Sequence, residues 1–355
     1  MSAFTVAGAG MAGLAAAARA RELGAAPVVF EKGDRAGGSM LLSSGVIWRH
    51  RTLADFRSAC PQGDPALQAR IVEELDDALD WLELLGIEPV RRETGNPLTV
   101  GRRYEPRALT DVLVRAAGDV RLQQPFREAD VLATGGFGVR LARERALLLR
   151  AAPWSEGDGL VFALEHGAAR TTGMDEFYGR ALPAPVGEDD FVRASQLYAG
   201  HALVLDDEGR DLGDAAWHES DIVQRFPNGR AWYLVDARAL RQPVRERTVA
   251  DLVEAARAAG GDVRPAAELP FEISSSPKLV EPPFLAIRVY AAVTHTTGGI
   301  RIDARARVVD ATGAPIPALY AAGADAGGIF TGGYGSGLAA ALVYGRIAAE
   351  TALTT

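Results

Sequence analysis

Three glycines near the N-terminus have the spacing of a phosphate-binding turn. Gly8, Gly10 and Gly13 form the pattern G-x-G-x-x-G in the segment VAGAGMAGL. Glycines at this spacing permit a tight turn, let the backbone approach a pyrophosphate at the start of a helix, and let that helix pack closely on a strand. Glu31 ends the following segment APVVFE, where an acidic side chain accepts hydrogen bonds from a ribose. These residues predict a dinucleotide-binding site.

A second glycine-rich segment, GGIFTGGYGSGLAAALVYGRIAAE, begins at Gly327 and continues as an apolar helical pattern. Residues without side chains let a backbone lie against a flat ligand, and the free N–H groups at the start of the next helix favour an electron-rich atom. We therefore expect the two glycine-rich segments to bind opposite ends of one long cofactor.

The elements around these segments predict an α/β fold. Residues 3–31 have the pattern of a parallel β-α-β unit. Helical periodicity recurs in DPALQARIVEELDDALDWLELLG and PRALTDVLVRAAG, each closed by a glycine suited to a left-handed C-terminal position. Between 178 and 283 the chain mixes short strand patterns, turns and the helical segment RERTVADLVEAARAAG. We predict a Rossmann-like domain formed by 1–177 and 284–355, with a smaller α+β cap domain, 178–283, inserted between its parts.

The composition excludes several classes of protein. With 48% hydrophobic and 24% charged residues among 355, the chain is typical of a globular protein with one or two cores. Its net charge of -8 argues against nucleic acid as a partner, because phosphate backbones bind clustered Lys and Arg. The single cysteine, Cys60, cannot form an internal disulfide, and neither a secretory leader nor an apolar run of about 18 residues is evident. We expect a cytoplasmic protein without a membrane span or a metal site.

After Glu31 the chain resembles the fumarate reductase and succinate dehydrogenase flavoprotein family. The segment EKGDRAGGSMLLSSG is similar to the stretch that follows the first β-α-β unit in that family. Further similar segments occur in the family's order: VLATGGFG, EGDGL, PPFLAIRV, THTTGGIRID, IPALYAAGADAGG and YGSGLAAALVYGRIAA. The resemblance covers about half of the chain. It implies FAD rather than NAD as the cofactor, and an FAD-binding domain in place of a general dinucleotide-binding one.

The resemblance also implies which residues bind FAD. The first glycine turn would hold the pyrophosphate, Asp325 would face the ribityl chain, and the start of the last helix would meet the flavin ring. Some relatives attach FAD covalently to a histidine where this sequence has Ser39, so we expect non-covalent binding. The expected residues are Gly8, Gly10, Met11, Ala12, Gly13, Glu31, Lys32, Gly37, Gly38, Ser39, Ser44, Gly45, Thr134, Gly135, Asp158, Gly323, Asp325, Ser336, Gly337 and Leu338.

The family's chemistry takes place at a carbon–carbon bond beside a carbonyl or carboxylate. A hydride is exchanged with the flavin at one carbon while a protein group moves a proton at the neighbouring carbon. His295, in THTTGGIRID, matches the family histidine that contacts a substrate oxygen, with Thr296 and Thr297 nearby. Without the resemblance, a histidine before TTGG is also typical of a hydrogen-bonded turn.

Two departures from the fumarate reductases affect the expected reaction. Those enzymes have an arginine acid in the cap, where the stretch LDDEGRDLGDAAWHESDI has His218 and Glu219. They have a second, carboxylate-binding arginine in the late glycine loop, where this chain has Tyr334. The segments GYGSGL and MDEFYGR are more similar to the tricarballylate dehydrogenase and 3-ketosteroid dehydrogenase branches. We therefore expect Tyr334 to polarise a substrate oxygen.

Three further residues are candidates for substrate contact. Tyr178 and Arg180 lie at the start of the predicted cap, and Arg288 lies just after it. A core aromatic side chain and solvated surface charges are the alternative interpretations. The cap is compact and the connection before VLATGG is short, so the chain resembles a shortened member of the family and no relative's substrate is assigned to it.

The sequence thus predicts an FAD-dependent oxidoreductase acting on a CH–CH group next to a carbonyl or carboxylate of a small or medium organic substrate. Dehydrogenation is favoured because the reductase arginines are missing. A reductase of an activated C=C bond and a flavin oxidase are the alternatives among enzymes, and a redox sensor or an inactive partner subunit is the alternative outside them. The sequence has no haem-attachment motif and no iron–sulfur cysteines, so any further electron donor or acceptor is external.

Overall fold

The chain begins with the strand, turn and helix that its sequence predicts. The computed structural model describes residues 4–354. The strands within that range are β1 (Phe4–Ala7), β2 (Pro27–Phe30), β3 (Val46–His50), β4 (Thr99–Arg103), β5 (Asp119–Arg121), β6 (Val131–Leu132), β7 (Leu148–Leu149), β8 (Phe177–Leu182), β9 (Leu203–Leu205), β10 (Arg230–Val235), β11 (Pro243–Val244), β12 (Arg247–Thr248), β13 (Val263–Pro265), β14 (Leu285–Thr296), β15 (Arg307–Val309) and β16 (Pro315–Ala321). The α-helices are α1 (Met11–Glu22), α2 (Gly38–Leu41), α3 (Leu53–Ala59), α4 (Pro65–Leu84), α5 (Pro106–Ala117), α6 (Gly138–Glu144), α7 (Asp158–Glu165), α8 (Phe191–Ala194), α9 (Ser220–Gln224), α10 (Ala237–Leu240), α11 (Val249–Ala258) and α12 (Gly337–Thr354).

Local signals set the ends of the two long predicted helices. The carboxylate of Asp64 accepts hydrogen bonds from the N–H groups at the start of α4, and a proline occupies the first helical position. Glu105 has the same role at the start of α5, which also begins with a proline. Gly86 follows α4 with φ +100° and Gly118 follows α5 with φ +90°, backbone conformations that favour glycine. Each predicted helix is therefore followed by a glycine with positive φ, although Gly118, with ψ -102°, lies outside the left-handed helical region.

The first of two units is built on a six-stranded sheet. This unit comprises the chain up to Arg140, Ala151–Glu176 and the chain from His295 onward. The strand order is β15-β16-β6-β1-β2-β5, with parallel pairing from β16 to β5 and an antiparallel β15. The buried strands FTVA and PVVF are apolar, as a parallel sheet covered by helices requires. The predicted α/β fold is confirmed.

Two alanine-rich helices pack together in this unit. A Cβ added at Gly345 of α12 would lie 2.4 Å from the carbonyl oxygen of Ala12 in α1, so the backbones of the two helices are in direct contact. A Cβ added at Gly323, in the turn after β16, would lie 3.0 Å from the Cβ of Ala12 and 3.8 Å from that of Ala341. The N-terminal parts of α1 and α12 are therefore both close to this turn.

The second unit contains its own sheet. It comprises Leu141–Arg150 and Phe177–Thr294, and its strand order is β13-β14-β10-β9, with β7 and β8 also paired to β14. The central pair is antiparallel, from Arg230 opposite Tyr290 to Val235 opposite Leu285. Its core includes Leu203, Leu205, Trp232, Leu234 and Ala286.

The second unit contains more of the chain than the predicted cap range, 178–283, because it also includes Leu141–Arg150 and continues to Thr294. Most of β14 lies in it, because this strand pairs with β10 along six residues, although its sequence follows the predicted end of the cap. Leu148 and Leu149 also belong to it, because they pair in parallel with Ala292 and Val293. These pairings join residues that are distant in sequence, so no local sequence pattern predicts them.

Candidate active site

The N-terminal glycines have three different surroundings. Gly8 has φ +100°, and a Cβ added there would lie 2.2 Å from the carbonyl oxygen of Ala133. A Cβ on Gly13 would lie 1.9 Å from the carbonyl oxygen of Gly8, so helix and turn are in direct backbone contact. A Cβ on Gly10 would meet no atom within 4 Å. The first and third glycines thus serve packing, whereas the second leaves open space at the start of α1, where a pyrophosphate fits.

The carboxylate of Glu31 is held at the end of β2. Its Oε2 accepts a hydrogen bond of 2.8 Å from the Ala9 N–H, and its Oε1 accepts one of 2.7 Å from the Gly33 N–H. These bonds fix the carboxylate beside the glycine turn, in the position expected for a ribose contact.

A cavity of about 330 Å³ opens beside Glu31. Its lining combines charged groups with aromatic rings, which suits a ribose and a flat base. Lys32 is held at one wall by Glu156 and by Asp158, whose Oδ2 lies 3.0 Å from the Lys32 Nζ. Burial lowers the pKa of Lys32, but its hydrogen bonds to Glu156 and Asp158 outweigh burial and raise it. The lining residues are Gly8, Phe30, Glu31, Lys32, Pro125, Phe126, Arg127, Thr134, Trp154, Asp158, Val161, Phe162 and Glu165.

The segment after Glu31 returns to the glycine turn. The N–H of Gly37, whose φ is +103°, donates a hydrogen bond of 2.8 Å to the carbonyl oxygen of Ala9. Gly38 and Ser39 begin α2, and the Ser39 Oγ accepts a hydrogen bond of 3.0 Å from the Ala152 N–H. Ser44 and Gly45 follow α2 and precede β3. The structure therefore brings Gly37 and Gly38 to the open space at Gly10, while Ser39 also joins two distant segments.

Asp325 joins the ends of two neighbouring strands. Its Oδ1 accepts a hydrogen bond of 2.9 Å from the Gly136 N–H, and its Oδ2 accepts bonds from the N–H and hydroxyl of Thr134. Burial raises the pKa of Asp325, against these hydrogen bonds, which lower it. The residue stabilises the loop between β6 and α6, next to Gly135, and is the last residue of the turn that begins at Gly323.

His295 lies beside the start of the last helix. A Cβ added at Gly337, the first residue of α12, would lie 3.2 Å from the His295 Nδ1. The ring is partly buried, and Phe330 meets it edge to face with 5.9 Å between centroids. Burial lowers the pKa of His295 to about 4, so the imidazole is neutral near neutral pH. A neutral imidazole donates from one nitrogen and accepts at the other.

The start of α12 itself carries hydrogen-bond donors. The Ser336 Oγ accepts a bond of 3.3 Å from the Ala339 N–H. The N–H groups of the first helical turn have no partner within the helix, and the helix dipole adds partial positive charge there. Gly337 and Leu338 provide such N–H groups next to His295, which brings together the predicted flavin and substrate residues of the first unit.

Tyr334 belongs to a group of aromatic side chains in the same unit. Its ring lies 6.0 Å from Trp48 and 5.9 Å from Phe330, and its carbonyl oxygen lies 3.3 Å from the His50 Nε2. Burial lowers the pKa of His50, and its contact with the Tyr334 carbonyl opposes that shift. Tyr334 and Trp48 are both partly exposed. The predicted tyrosine is thus connected to His295 through Phe330.

Two buried hydroxyls near these residues have no hydrogen-bond partner. The Oγ1 atoms of Thr296 and Thr331 are both unpaired in residues only 1% exposed. Buried polar groups in proteins are nearly always hydrogen-bonded, so these two hydroxyls need a partner that the protein itself does not supply. Thr296 follows His295 directly, and its hydroxyl lies close to Gly136.

The other predicted substrate residues lie in the second unit. Tyr178 is buried in β8, with the Arg180 guanidinium 4.9 Å from its ring centre. His218 is 9% exposed, and its Nδ1 lies 2.7 Å from the Ser220 hydroxyl. Arg288 is bound by Asp207 and stacks on Trp232 at 4.4 Å. An ion pair and a ring contact within the unit hold the Arg288 side chain.

The comparisons with known proteins agree with this geometry. A family described as the FAD binding domain matches residues 4–122 and 105–337 of the chain. The chain belongs to this family. The FAD binding domain spans both glycine-rich segments, so the cofactor inferred from the sequence is confirmed, and the protein is an FAD-dependent oxidoreductase.

Members of the flavoprotein family resemble the chain along nearly its whole length. A probable fumarate reductase of Shewanella frigidimarina is 25% identical over 442 aligned positions, covering 98% of this chain and 74% of that protein. The solved open conformation of a flavocytochrome c3 fumarate reductase has a TM-score of 0.69 at 23% identity, covering 99% and 78% of the two chains. A 3-ketosteroid-delta4-(5alpha)-dehydrogenase of Rhodococcus jostii has a TM-score of 0.72 at 18% identity, covering 99% and 96%. The resemblance stated from the sequence is confirmed.

Several residues that line the site of this FAD-binding protein were not predicted from the sequence. Phe126, Trp154 and Phe162 line the cavity beside Glu31, but single aromatic residues in loops and on a helix have no motif. Among residues 4–354, no helix has both the length and the apolar character needed to cross a membrane.

Proposed function

We propose that this oxidoreductase introduces a C=C bond next to a carbonyl group, and that the reverse reduction uses the same residues. FAD, when bound, supplies a two-electron acceptor for the hydride. The similarity to a probable fumarate reductase and to a 3-ketosteroid dehydrogenase supports this class, because fumarate has a C=C bond beside carboxylates and a 3-ketosteroid has a carbonyl.

The observation that carries the proposal is the neutral His295 beside the first residue of α12. A neutral imidazole N–H donates a hydrogen bond to a substrate oxygen and stabilises the negative charge that grows on that oxygen when the adjacent carbon loses a proton. The donor is fixed by its neighbours Gly337 and Phe330, so it needs no rearrangement during the reaction.

A ketone suits this environment better than a carboxylate. The loop from Gly332 to Gly337 contains no arginine or lysine, and Tyr334 offers a neutral hydroxyl. A carboxylate loses its hydration on binding and needs a cation or several donors in return, whereas a carbonyl oxygen needs only one or two hydrogen bonds. We therefore assign Tyr334 and His295 to a carbonyl oxygen.

The cofactor would be held along the first unit. The turn at Gly8, Gly10 and Gly13 would bind the pyrophosphate, Glu31 the adenosine ribose, and the N–H groups of Gly337 and Leu338 the flavin ring. We propose that attachment is non-covalent, since Ser39 provides no linking histidine. The second unit, with its separate sheet, would be the cap, and an external molecule would accept the electrons.

The test begins with the absorption spectrum of the purified protein before and after acid precipitation. Flavin released into the supernatant as FAD is the expected result. Oxidised holoprotein is then mixed without oxygen with saturated cyclic ketones, with 4-androstene-3,17-dione, and with succinate, and loss of the flavin absorbance is followed. We expect the ketones to bleach the flavin and succinate to leave it unchanged. Bleaching by succinate but not by any ketone would contradict the carbonyl assignment.

A further inference from the structure

Tyr334, which the proposed function assigns to the substrate oxygen, lies between two glycines whose surroundings leave no room for a side chain. A Cβ added at Gly333 would lie 1.8 Å from the carbonyl oxygen of Ala59, and one added at Gly335 would lie 2.6 Å from a ring carbon of Phe330. Glycine has more backbone freedom than any other residue, so these neighbours do not fix the tyrosine by themselves. The direction of the Tyr334 side chain therefore depends on contacts that hold this loop.

The start of the loop is held by a carboxylate and by a turn. The Glu176 Oε2 accepts a hydrogen bond of 2.9 Å from the Gly332 N–H, and the Gly333 N–H donates one of 2.9 Å to the carbonyl oxygen of Phe330. These bonds fix the chain up to the residue before Tyr334. The peptide group that follows Tyr334 needs a contact of its own.

A buried histidine holds that peptide group. The His50 Nε2 lies 3.3 Å from the carbonyl oxygen of Tyr334, and His50 is only 2% exposed. A carbonyl oxygen can only accept a hydrogen bond, so the Nε2 carries a proton and donates it in this contact. His50 is the last residue of β3 and is paired with Thr99 of β4, so its backbone belongs to a sheet rather than to a loop. The donor therefore has a fixed position.

Aromatic rings fix the imidazole and also contact the tyrosine. His50 packs on Phe56 with 5.0 Å between ring centroids and meets Trp48 edge to face at 5.3 Å. Trp48 in turn meets the Tyr334 ring edge to face at 6.0 Å. The imidazole cannot turn away from the carbonyl without displacing a packed ring. Two residues of β3 thus orient both the backbone and the ring of Tyr334.

The same group of rings extends to His295. Phe330 lies 5.9 Å from Tyr334, from Phe56 and from His295, measured between ring centroids. All of these residues belong to the first unit. Tyr334 and His295 are the two groups assigned to one substrate oxygen, so a displacement of the tyrosine changes their spacing. A misplacement of about 1 Å in an active site can lower a rate by about 10²-fold. A contact that fixes Tyr334 therefore affects the rate without touching the substrate.

We propose that His50 is a positioning residue of this oxidoreductase. Its Nε2–H holds the Tyr334 carbonyl and so directs the tyrosine hydroxyl, together with His295, toward the carbonyl oxygen of the substrate. His50 itself neither contacts the substrate nor exchanges a proton with it. The inference rests on the proposed function, in which Tyr334 donates to that oxygen, and it requires that His50 act through Tyr334.

The hydrogen bond is tested first, without turnover. The chain contains three Tyr–Gly pairs, at 178–179, 334–335 and 344–345. Holoprotein labelled with carbon-13 in the tyrosine carbonyl and with nitrogen-15 in glycine gives one NMR signal for each pair, and Tyr334→Phe identifies the signal of 334–335 by removing it. We expect this signal to shift in His50→Phe, which keeps a ring but loses the donor. It should stay near its wild-type position in His50→Gln, whose side-chain amide is also a donor.

A double-mutant cycle then tests whether His50 acts through Tyr334. Flavin reduction by a saturating ketone is followed without oxygen in the wild type, in His50→Phe, in Tyr334→Phe and in the double variant. We expect His50→Phe to lower the rate by about tenfold or more and His50→Gln to keep most of it. The double variant should be no slower than Tyr334→Phe alone, because residues that act through one another are not additive. His201→Phe, at an exposed histidine of the second unit, should leave rate and signal unchanged.

An unshifted 334–335 signal in His50→Phe, or a double variant whose loss is the product of the two single losses, would overturn the inference. His50→Met replaces His50→Phe in both measurements if the latter does not retain FAD. A wild type whose flavin no ketone reduces would overturn the proposed function, and the positioning role with it. The shifted signal would then still show that His50 binds the Tyr334 carbonyl, so the two failures are distinguishable.

Discussion

Arg180 donates a hydrogen bond of 2.7 Å to the carbonyl oxygen of His218, the residue next to Glu219. The same guanidinium lowers the pKa of Glu219 by its positive charge, against the larger effect of burial. One arginine thus both orients the carboxyl group and limits how far its pKa rises.

Replacement of Arg180 by methionine should therefore move the titration of Glu219 to higher pH. The opposing effect of the cation is lost while burial remains, so the pKa should rise above the value of about 7 in the wild type. The pH dependence of the carboxyl infrared band measures this directly. Arg257→Met, at an exposed arginine of α11, is the matched control. A titration unchanged in Arg180→Met would show that the guanidinium does not act on Glu219.

The free energy of unfolding should also depend on pH because of the raised pKa of Glu219. The pKa of Glu219 is raised from its ordinary value of 4.5 to about 7 in the folded protein, so the folded state binds this proton more tightly than the unfolded state does. The stability that this proton contributes is fully present below about pH 4.5, falls as the pH rises from about 4.5 to 7, and is lost above about pH 7. Glu219→Gln cannot ionise. Its free energy of unfolding should exceed that of the wild type by about 2 to 3 kcal/mol at about pH 8.5, and the excess should be absent at about pH 4.

Denaturant unfolding of the holoproteins at the two pH values measures this difference. Glu208→Gln supplies the control, because Glu208 is exposed and its ion pair contributes little. An excess stability of Glu219→Gln that is the same at both pH values would point to packing rather than to ionisation.

His295 should contribute to catalysis without titrating in the working range. Its pKa is lowered by burial from 6.5 to about 4, so the ring stays neutral well below neutral pH. His295→Ala removes one donor to the substrate oxygen, and kcat/KM should fall by roughly 10²-fold. FAD should be retained, since the residue is assigned to the substrate. The wild-type pH–rate profile should show no ionisation attributable to His295 between about pH 5.5 and 8.

His201→Gln, at an exposed histidine of the second unit, is the control for general effects of histidine loss. Loss of FAD from purified His295→Ala would assign the residue to the cofactor instead. Full activity in that variant would remove His295 from the mechanism.

The features that the sequence predicted are those that depend on near neighbours along the chain. The turn at Gly8, Gly10 and Gly13 needs only the strand before it and the helix after it, and Glu31 follows one helix later. The helix ends at Gly86 and Gly118 depend on single residues. Each of these is encoded within about thirty residues, so a periodic pattern with a glycine at the right place predicts it.

The features that escaped prediction depend on contacts between distant segments. Burial raises the pKa of Glu219, whereas Arg180, Arg245 and the loop at Ala199 lower it, and nothing in the segment AAWHESD indicates these neighbours. The pairing of β14 with β10 likewise places most of β14 in the second unit, beyond the predicted end of the cap at residue 283. The contacts of Arg288 with Asp207 and Trp232 likewise depend on the second sheet and have no signal in the local sequence.

The two glycines Gly10 and Gly13 allow folding and cofactor binding to be tested separately. A Cβ at Gly10 would meet no protein atom within 4 Å, and the backbone there has φ -83°, which alanine adopts freely. Gly10→Ala should therefore change the stability of the FAD-free protein by less than about 1 kcal/mol. Its methyl group should nevertheless occupy the space assigned to the pyrophosphate, so that the dissociation constant for FAD rises by about tenfold or more, the equivalent of 1.4 kcal/mol.

Gly13→Ala should behave in the opposite way. Its Cβ would lie 1.9 Å from the carbonyl oxygen of Gly8, and neither backbone can yield without separating α1 from the turn. We expect the FAD-free protein to lose about 2 to 3 kcal/mol of stability or more, because forced overpacking of a buried contact costs this much. Thermal unfolding of the apoproteins and FAD titration by fluorescence measure the two effects. If Gly10→Ala bound FAD as tightly as the wild type, the open space at the start of α1 would not be the pyrophosphate site, and only the packing roles of Gly8 and Gly13 would remain.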